Sequence, residues 1–242
     1  MQDSSPLISG STVWVTYGVT GSTVLEYRSW SDFQWNVTSR VIDLPVAPYC
    51  GTGHVVHNGF LYYHARNTTS IIKYDLHGNH PSATTQISDV IYTATDDVTE
   101  LYSANDQFST STFVDFHVDG NGLWVVYGNK NTSKMELAML DLDTLDVVIT
   151  IELDVDAGSK GNGFITCGKL YMIRHARRRK SVIDVFDIWT GKTKPAKFRF
   201  PNAQKRTVMV SFDAKRKRLR TWDAGINNYS GVILHIPLRM AN

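Results

Sequence analysis

A chain of 242 residues with 42% apolar and 11% aromatic side chains can bury a sizeable core, which excludes a disordered segment. No apolar run approaches the ~18 residues of a membrane-spanning helix. The formal net charge of +2 conceals a division: residues 1–168 carry a net charge of −12 and residues 169–242 one of +14.

The chain opens on the polar stretch MQDSSPLISGS. No signal peptide is visible there, so Met1 is expected to be the start of an excised domain. One unit then recurs five times: a short apolar strand, a tight turn, a second apolar strand, a polar turn and a third strand. The tight turns are Ser9-Gly10, Asn58-Gly59, Asn121-Gly122, Cys167-Gly168 and residues 213–217, spaced by 49, 63, 46 and 48 residues. Asn-Gly between alternating hydrophobic residues marks a hairpin, because a type I′ turn needs positive φ at both central positions. The second strands read TVWVTY, FLYYH, LWVVY, KLYMI and RLRTW. Polar turns follow at residues 18–21, 66–69, 128–133, 176–180 and 224–230. Third strands read STVLEY, SIIKYDL, MELAMLDL, SVIDVFDI and GVILHIPL, and weaker fourth strands SRVIDLPV, VITIELD and AKFRF.

Such units predict an all-β chain, one domain over residues 1–242. The expected fold is a five-bladed β-propeller with four antiparallel strands per blade. Joining N- and C-terminal segments in one sheet would close the ring. Fivefold recurrence disfavours a β-sandwich, and no segment keeps the 3.6-residue period of a helix. The 63-residue spacing places an insertion in the second blade, where TATDDVTELYSANDQFSTS predicts a long loop over one face.

Four glycosylation sequons, at Asn36, Asn67, Asn131 and Asn228, favour a secreted chain with glycans on surface loops. The two cysteines, Cys50 and Cys167, lack the clustering of a zinc site. They pair with each other, remain free thiols, or include one that has lost an upstream partner; the sequence leaves all three open.

The segments GTGHVV (51–56) with Asn58-Gly59, IKYDL (72–76), VDGNGLWVVY (118–127), GNGFITCGKLY (161–171) and Phe200-Pro201-Asn202 resemble the olfactomedin domain. They occur in family order from about Trp14 to the C-terminus. The resemblance implies a secreted or cell-surface five-bladed module acting in adhesion, matrix or neural and glial signalling, without catalysis. It implies too an N-terminal cysteine paired with the one matching Cys167, and no residue before Cys50 can fill that role.

In family members with a channel calcium, three innermost strands supply the ligands. Asp115 matches the first, and Asn162 with the Gly163 carbonyl the second. The third should be a carbonyl ligand followed by aspartate but reads Val210 followed by Ser211, and a further acidic position reads Phe113. Calcium wants six to eight oxygens, with affinity set largely by carboxylate count, so neither calcium nor another cofactor is expected. Asp115 and Asn162 are then expected to bond each other, Ser211 or water. The degenerate ion site and basic sector lean toward a gliomedin-like branch.

In a four-stranded blade the first and third turns lie at one end, the second turn and interblade link at the other. Lys192 and Lys194, read as a third turn, and Lys215, Arg216, Lys217 and Arg218, in a first turn, would share one end. Arg177, Arg178, Arg179 and Lys180 occupy a second turn at the opposite end, with the sequons at Asn67, Asn131 and Asn228. Glycans there would crowd a long chain, so the end with Lys192, Lys194 and residues 215–218 is expected to bind sulfated glycosaminoglycan and this end to contribute less. A basic surface on a secreted chain suggests heparan sulfate or an acidic cell-surface or matrix protein. Self-association of the acidic and basic sectors is the alternative. Nucleic acid and direct membrane insertion are not expected.

A glycosidase-like propeller would need channel carboxylates, and Asp115 with Asp119 is the only pair on one inner strand. A sugar-binding lectin would need exposed aromatic residues, whereas these recur at strand positions suited to burial. An interaction module, not an enzyme, is the reading carried forward.

Overall fold

The computed structural model describes residues 1, 12–92, 100–102, 112–213, 216–223 and 226–231. Blade two comprises Val55–His57, Phe60–His64, Ser70–Asp75 and His80–Gln86. Blade three comprises Val114–Asp119, Gly122–Gly128, Lys134–Leu140 and Val147–Asp156. Blade four comprises Asn162–Thr166, Lys169–Ile173, Ile183–Asp187 and Lys192–Pro195. Blade one contributes Val13–Thr16, Thr23–Tyr27 and Arg40–Asp43, and blade five Thr207–Asp213, Arg218–Asp223 and Ile226–Gly231. The protein is a five-bladed β-propeller of antiparallel sheets. The Ser9-Gly10 turn, most of the second-blade insertion and the closing segment GVILHIPL lie outside the described residues.

Local chemistry accounts for the hairpins. Asn58 (φ 51°) and Gly59 (φ 77°) take the positive φ values of the tight turn, as do Cys167 (φ 53°) and Gly168 (φ 67°). Alternation then divides each strand between two neighbours. Leu123, Val125 and Tyr127 pack with Tyr62 and Ile71 of blade two, while Trp124 and Val126 pack with Ile165, Met172 and Phe186 of blade four. A central strand buried on both faces needs a nearly unbroken apolar run, and LWVVY is one.

The expected division of turns between two ends holds. The Leu76 and Ile188 amides, in third turns, donate to the carbonyls of Gly59 and Gly168 in first turns. At the other end Thr20–Gly21 pairs with Tyr49–Cys50, and Lys180–Ser181 with Phe200–Pro201. Each pairing joins a second turn to an interblade link.

Two expectations are corrected. The outer strand of blade four is Lys192–Pro195, not AKFRF, because Gly191 (φ 66°) ends the turn early and the strand is spent by Pro195, in register with Asp184. Ala196 and Phe198 pack instead on the core between blades four and five. The third strand of blade five is Ile226–Gly231, which turns the expected polar loop into strand. One short helix, Trp30–Gln34, caps blade one, with the Ser29 hydroxyl accepting the Asp32 amide.

Candidate functional site

The inner strands Val55–His57, Val114–Asp119, Asn162–Thr166 and Thr207–Asp213 adjoin in turn around the channel. Between them lies a cavity of about 10 Å³ lined by Thr52, Gly53, Tyr102, Asp115, Asn162 and Val208 among others, room for about one water molecule. Gly53 permits the close approach: a Cβ there would stand 2.5 Å from the Val114 carbonyl oxygen.

Protein groups occupy most of the polar valences. Asp115 Oδ2 lies 3.1 Å from His117 Nε2, as expected for two residues on one face of a strand. The Asn162 amide nitrogen donates to the Val208 carbonyl (3.2 Å), and its oxygen accepts from the Gly163 amide (2.9 Å). The Thr52 hydroxyl also donates to Val208 (3.1 Å). Val208 is available because a register shift between Thr207 and Met209 lifts it out of the ladder, a bulge that re-aims its carbonyl. The structure thus replaces the expected Asp115–Asn162 bond with two separate pairs. Val210 lines the cavity but Ser211 does not, and Phe113 is buried in the core between blades two and three.

Sequence reasoning missed Tyr102. It is the one buried aromatic among the described residues of the polar insertion, and it bridges to Lys160 of the blade-four link. Burial, and then the adjacent Asp115 carboxylate, raise its hydroxyl well above the usual tyrosine range. An aromatic residue stranded in a polar loop was the available signal.

These residues do not fit calcium. One carboxylate faces the cavity, one of its oxygens is beside an imidazole, and the Val208 carbonyl already accepts two bonds. No group of three or more His, Cys, Asp or Glu arranged for a metal occurs among the described residues. Nor does Asp119 serve as a second channel carboxylate. It accepts from the Asn121 amide (2.9 Å), Trp124 Nε1 (3.0 Å) and the Gly168 amide (2.9 Å), tying blade three to blade four.

The basic residues separate by environment. Arg178, Arg179 and Lys180 are exposed, and no ion pair among the described residues involves them. His175 beside them is held below the usual imidazole range by burial and then by Arg178, Arg174 and Lys160. Arg177 is half-buried. Arg216 pairs with Asp213 (3.1 Å), and Arg218 stacks on Tyr229, 3.9 Å from the ring centroid. Lys217 is exposed at the turn (φ 51°), and Lys215 lies outside the described residues. Lys192 and Lys194 occupy the exposed outer strand of blade four.

Asn67 and Asn131 are exposed in second turns, and Asn36 is exposed near the end opposite to them. Asn228 is corrected: it lies in a strand, and its amide nitrogen donates to buried Asp223 (3.0 Å). Cys50 is buried and Cys167 exposed, and no disulfide joins them. Burial raises the Cys50 thiol above its usual range.

The olfactomedin-like domain profile matches residues 1–233. The chain belongs to the olfactomedin family. It is 30% identical to adhesion G protein-coupled receptor L1 of Mus musculus, over 93% of this chain and 15% of the receptor. It is 28% identical to myocilin of Canis lupus familiaris, over 92% of this chain and 46% of that protein. The chain therefore spans less than half of either relative. Raptor of Chaetomium thermophilum superposes with a TM-score of 0.50 at 10% identity, over 91% of this chain and 17% of that one, a likeness of fold alone. No helix among the described residues is long and apolar enough to cross a membrane.

Proposed function

We propose that this olfactomedin domain is an extracellular protein-interaction module for a cell-surface or matrix partner, and that it has no catalytic role. The supporting observation is the channel: the cavity beside Asp115, Asn162 and Tyr102 has room for about one water and none for a substrate, which leaves recognition to the outer surfaces. An immunoglobulin-Fc fusion of the domain should stain intact cells, and trypsin treatment of those cells should abolish the staining. Hydrolysis of chromogenic glycosides at rates that Asp115→Asn removes would overturn the reading.

The donor set of the same channel, with one carboxylate, is poorly suited to calcium. Millimolar calcium should leave the melting temperature unchanged and give no site-specific heat in a titration; tight binding would overturn this.

A second reading concerns sulfated glycosaminoglycan, favoured by the exposed, unmatched turn at Arg178, Arg179 and Lys180. Counterion release makes such binding steeply salt-dependent. Neutralising these three residues should lower the salt concentration for elution from heparin more than neutralising Arg216 and Arg218, whose side chains are already engaged.

A further inference from the structure

Three large apolar side chains stand exposed on the adjoining rims of blades three and four, Val148 (58%), Ile149 (42%) and Trp189 (53%), while Val147 turns to the blade-two side. They are parts of one seam. Trp189 contacts buried Trp124, ring centroids 6.4 Å apart, and Trp124 is in register with Met139, which is in register with Ile149. Adjacent strands lie about 4.8 Å apart, so Ile149 and Trp189 flank the same interblade gap.

The charges beside this seam are ordered. On the blade-three side Asp141, Asp143 and Asp146 form the turn leading into Val147; Asp143, its side chain 96% exposed, also lies 3.6 Å from Lys73 of blade two, and Asp146 is exposed. On the blade-four side Trp189 is followed by the exposed strand bearing Lys192 and Lys194. Across the two rims the surface therefore runs from acidic through apolar to basic. A two-fold axis through the apolar middle lays each acidic flank on a basic one, which makes such a surface self-complementary. The rims lie at the end bearing first and third turns, whereas Asn67 and Asn131 occupy second turns at the other end, so glycans there leave the seam open.

We infer that the rims of blades three and four form a symmetric docking surface for a second copy of this chain. Trp189 of one copy packs on Val148 and Ile149 of the other, with Lys192 and Lys194 facing Asp143 and Asp146 reciprocally. This surface is separate from the basic turn assigned above to glycosaminoglycan, so heparin elution and self-association fail independently.

Sedimentation equilibrium on the whole chain, from micromolar to submillimolar concentration, should show a reversible monomer–dimer equilibrium that weakens with salt. Val148→Glu, on an exposed side chain, should weaken it by roughly tenfold or more, as should Lys192→Glu with Lys194→Glu, and separately Asp146→Lys, without loss of melting temperature. Mixing the lysine-reversed and aspartate-reversed proteins should give more dimer than either protein alone, because the charges introduced at 192 and 194 then meet the opposite charge introduced at 146. A chain that stays monomeric throughout, reversals that leave the dimer intact, or a mixture that fails to associate would each overturn the proposal. So would capture of heparin through Lys192 and Lys194 by a chain that never dimerises.

Discussion

Glu136 in blade three and Asp184 in blade four lie on the same face of the third strand in two repeats, two residues apart in register, and the molecule neutralises them by opposite means. Each sits on the third strand, opposite the second strand at Tyr127 or Met172, on the face toward the preceding blade. Glu136 accepts from the Tyr127 hydroxyl (2.5 Å) and the Asn129 amide (2.7 Å), both neutral donors. Asp184 accepts a fork from Arg174 (2.9 and 2.8 Å) and a bond from Lys160 (2.9 Å). The link entering each blade differs in the same sense: it supplies Asp89 near Glu136 and Lys160 near Asp184. Where cations fill the space beside Asp184, a cavity of about 280 Å³ lined by Asp89, Glu136 and Thr150 remains in blade three. The repeat therefore admits a carboxylate on this face of the third strand and leaves its position and its compensation to each blade.

Alanine at the two positions gives the largest expected effect and the sharpest test. Asp184→Ala leaves Lys160, 15% exposed, without its partner, and loss of one member of a buried pair should cost roughly 3 kcal/mol. Glu136→Ala strands two neutral donors beside an open cavity that water can enter, so roughly 2 kcal/mol is expected. Urea denaturation of both variants measures the difference. A larger loss at Glu136 would mean that the hydrogen-bonded site, not the ionic one, anchors the ring.

The acid limb of stability separates the sites further. Arg174, and then Lys160, hold the Asp184 carboxyl below the usual carboxylate range. Its folded pKa is thus lower than its unfolded one. The stabilisation is present above the unfolded value of about 3.9 and is lost as pH falls through the folded value. Asp184→Asn should therefore melt well below the unsubstituted protein at neutral pH, and the gap should close as pH drops below about 4. A gap that persists unchanged in acid would show that packing, not charge, is responsible.

Much of this layout was legible because turn chemistry is local. Asn58-Gly59 and Cys167-Gly168 declared their hairpins, and their spacing declared five blades, since positive φ is a property of one or two residues. What escaped depends on tertiary contact. Asp119 could be placed only on the inner face of its strand with Asp115; its donors Trp124 and Gly168, the latter 49 residues away, are set by the fold. The Val208 bulge carries no sequence mark, so the channel was expected to present Ser211. Lys192 and Lys194 were expected in a turn because Pro195 was not weighed as the end of an edge strand. Tyr102 was hidden by the polarity of its surroundings.

The smallest expected effect returns to the matching hairpins of the acidic and basic sectors. Asn58 and Cys167 hold nearly the same left-handed conformation, φ 51° and 53°, each followed by a glycine with positive φ. That region costs an ordinary L-residue roughly 1–2 kcal/mol, a penalty asparagine partly escapes through local hydrogen bonding. The Cys167 side chain is exposed, and its one described contact is a 3.5 Å approach of its sulfur to the Thr166 hydroxyl. Replacement should therefore disturb no packing. Cys167→Asn is expected to stabilise the domain by about 1 kcal/mol, and Asn58→Cys to destabilise it by a similar amount. Thermal melts of the two single variants and the exchanged double variant check the pair, with the double variant close to the starting stability because the turns lie in different blades. If Cys167→Asn proves neutral while Asn58→Cys is costly, the two turns are not equivalent, and the basic sector tolerates its strained residue for a reason outside the turn itself.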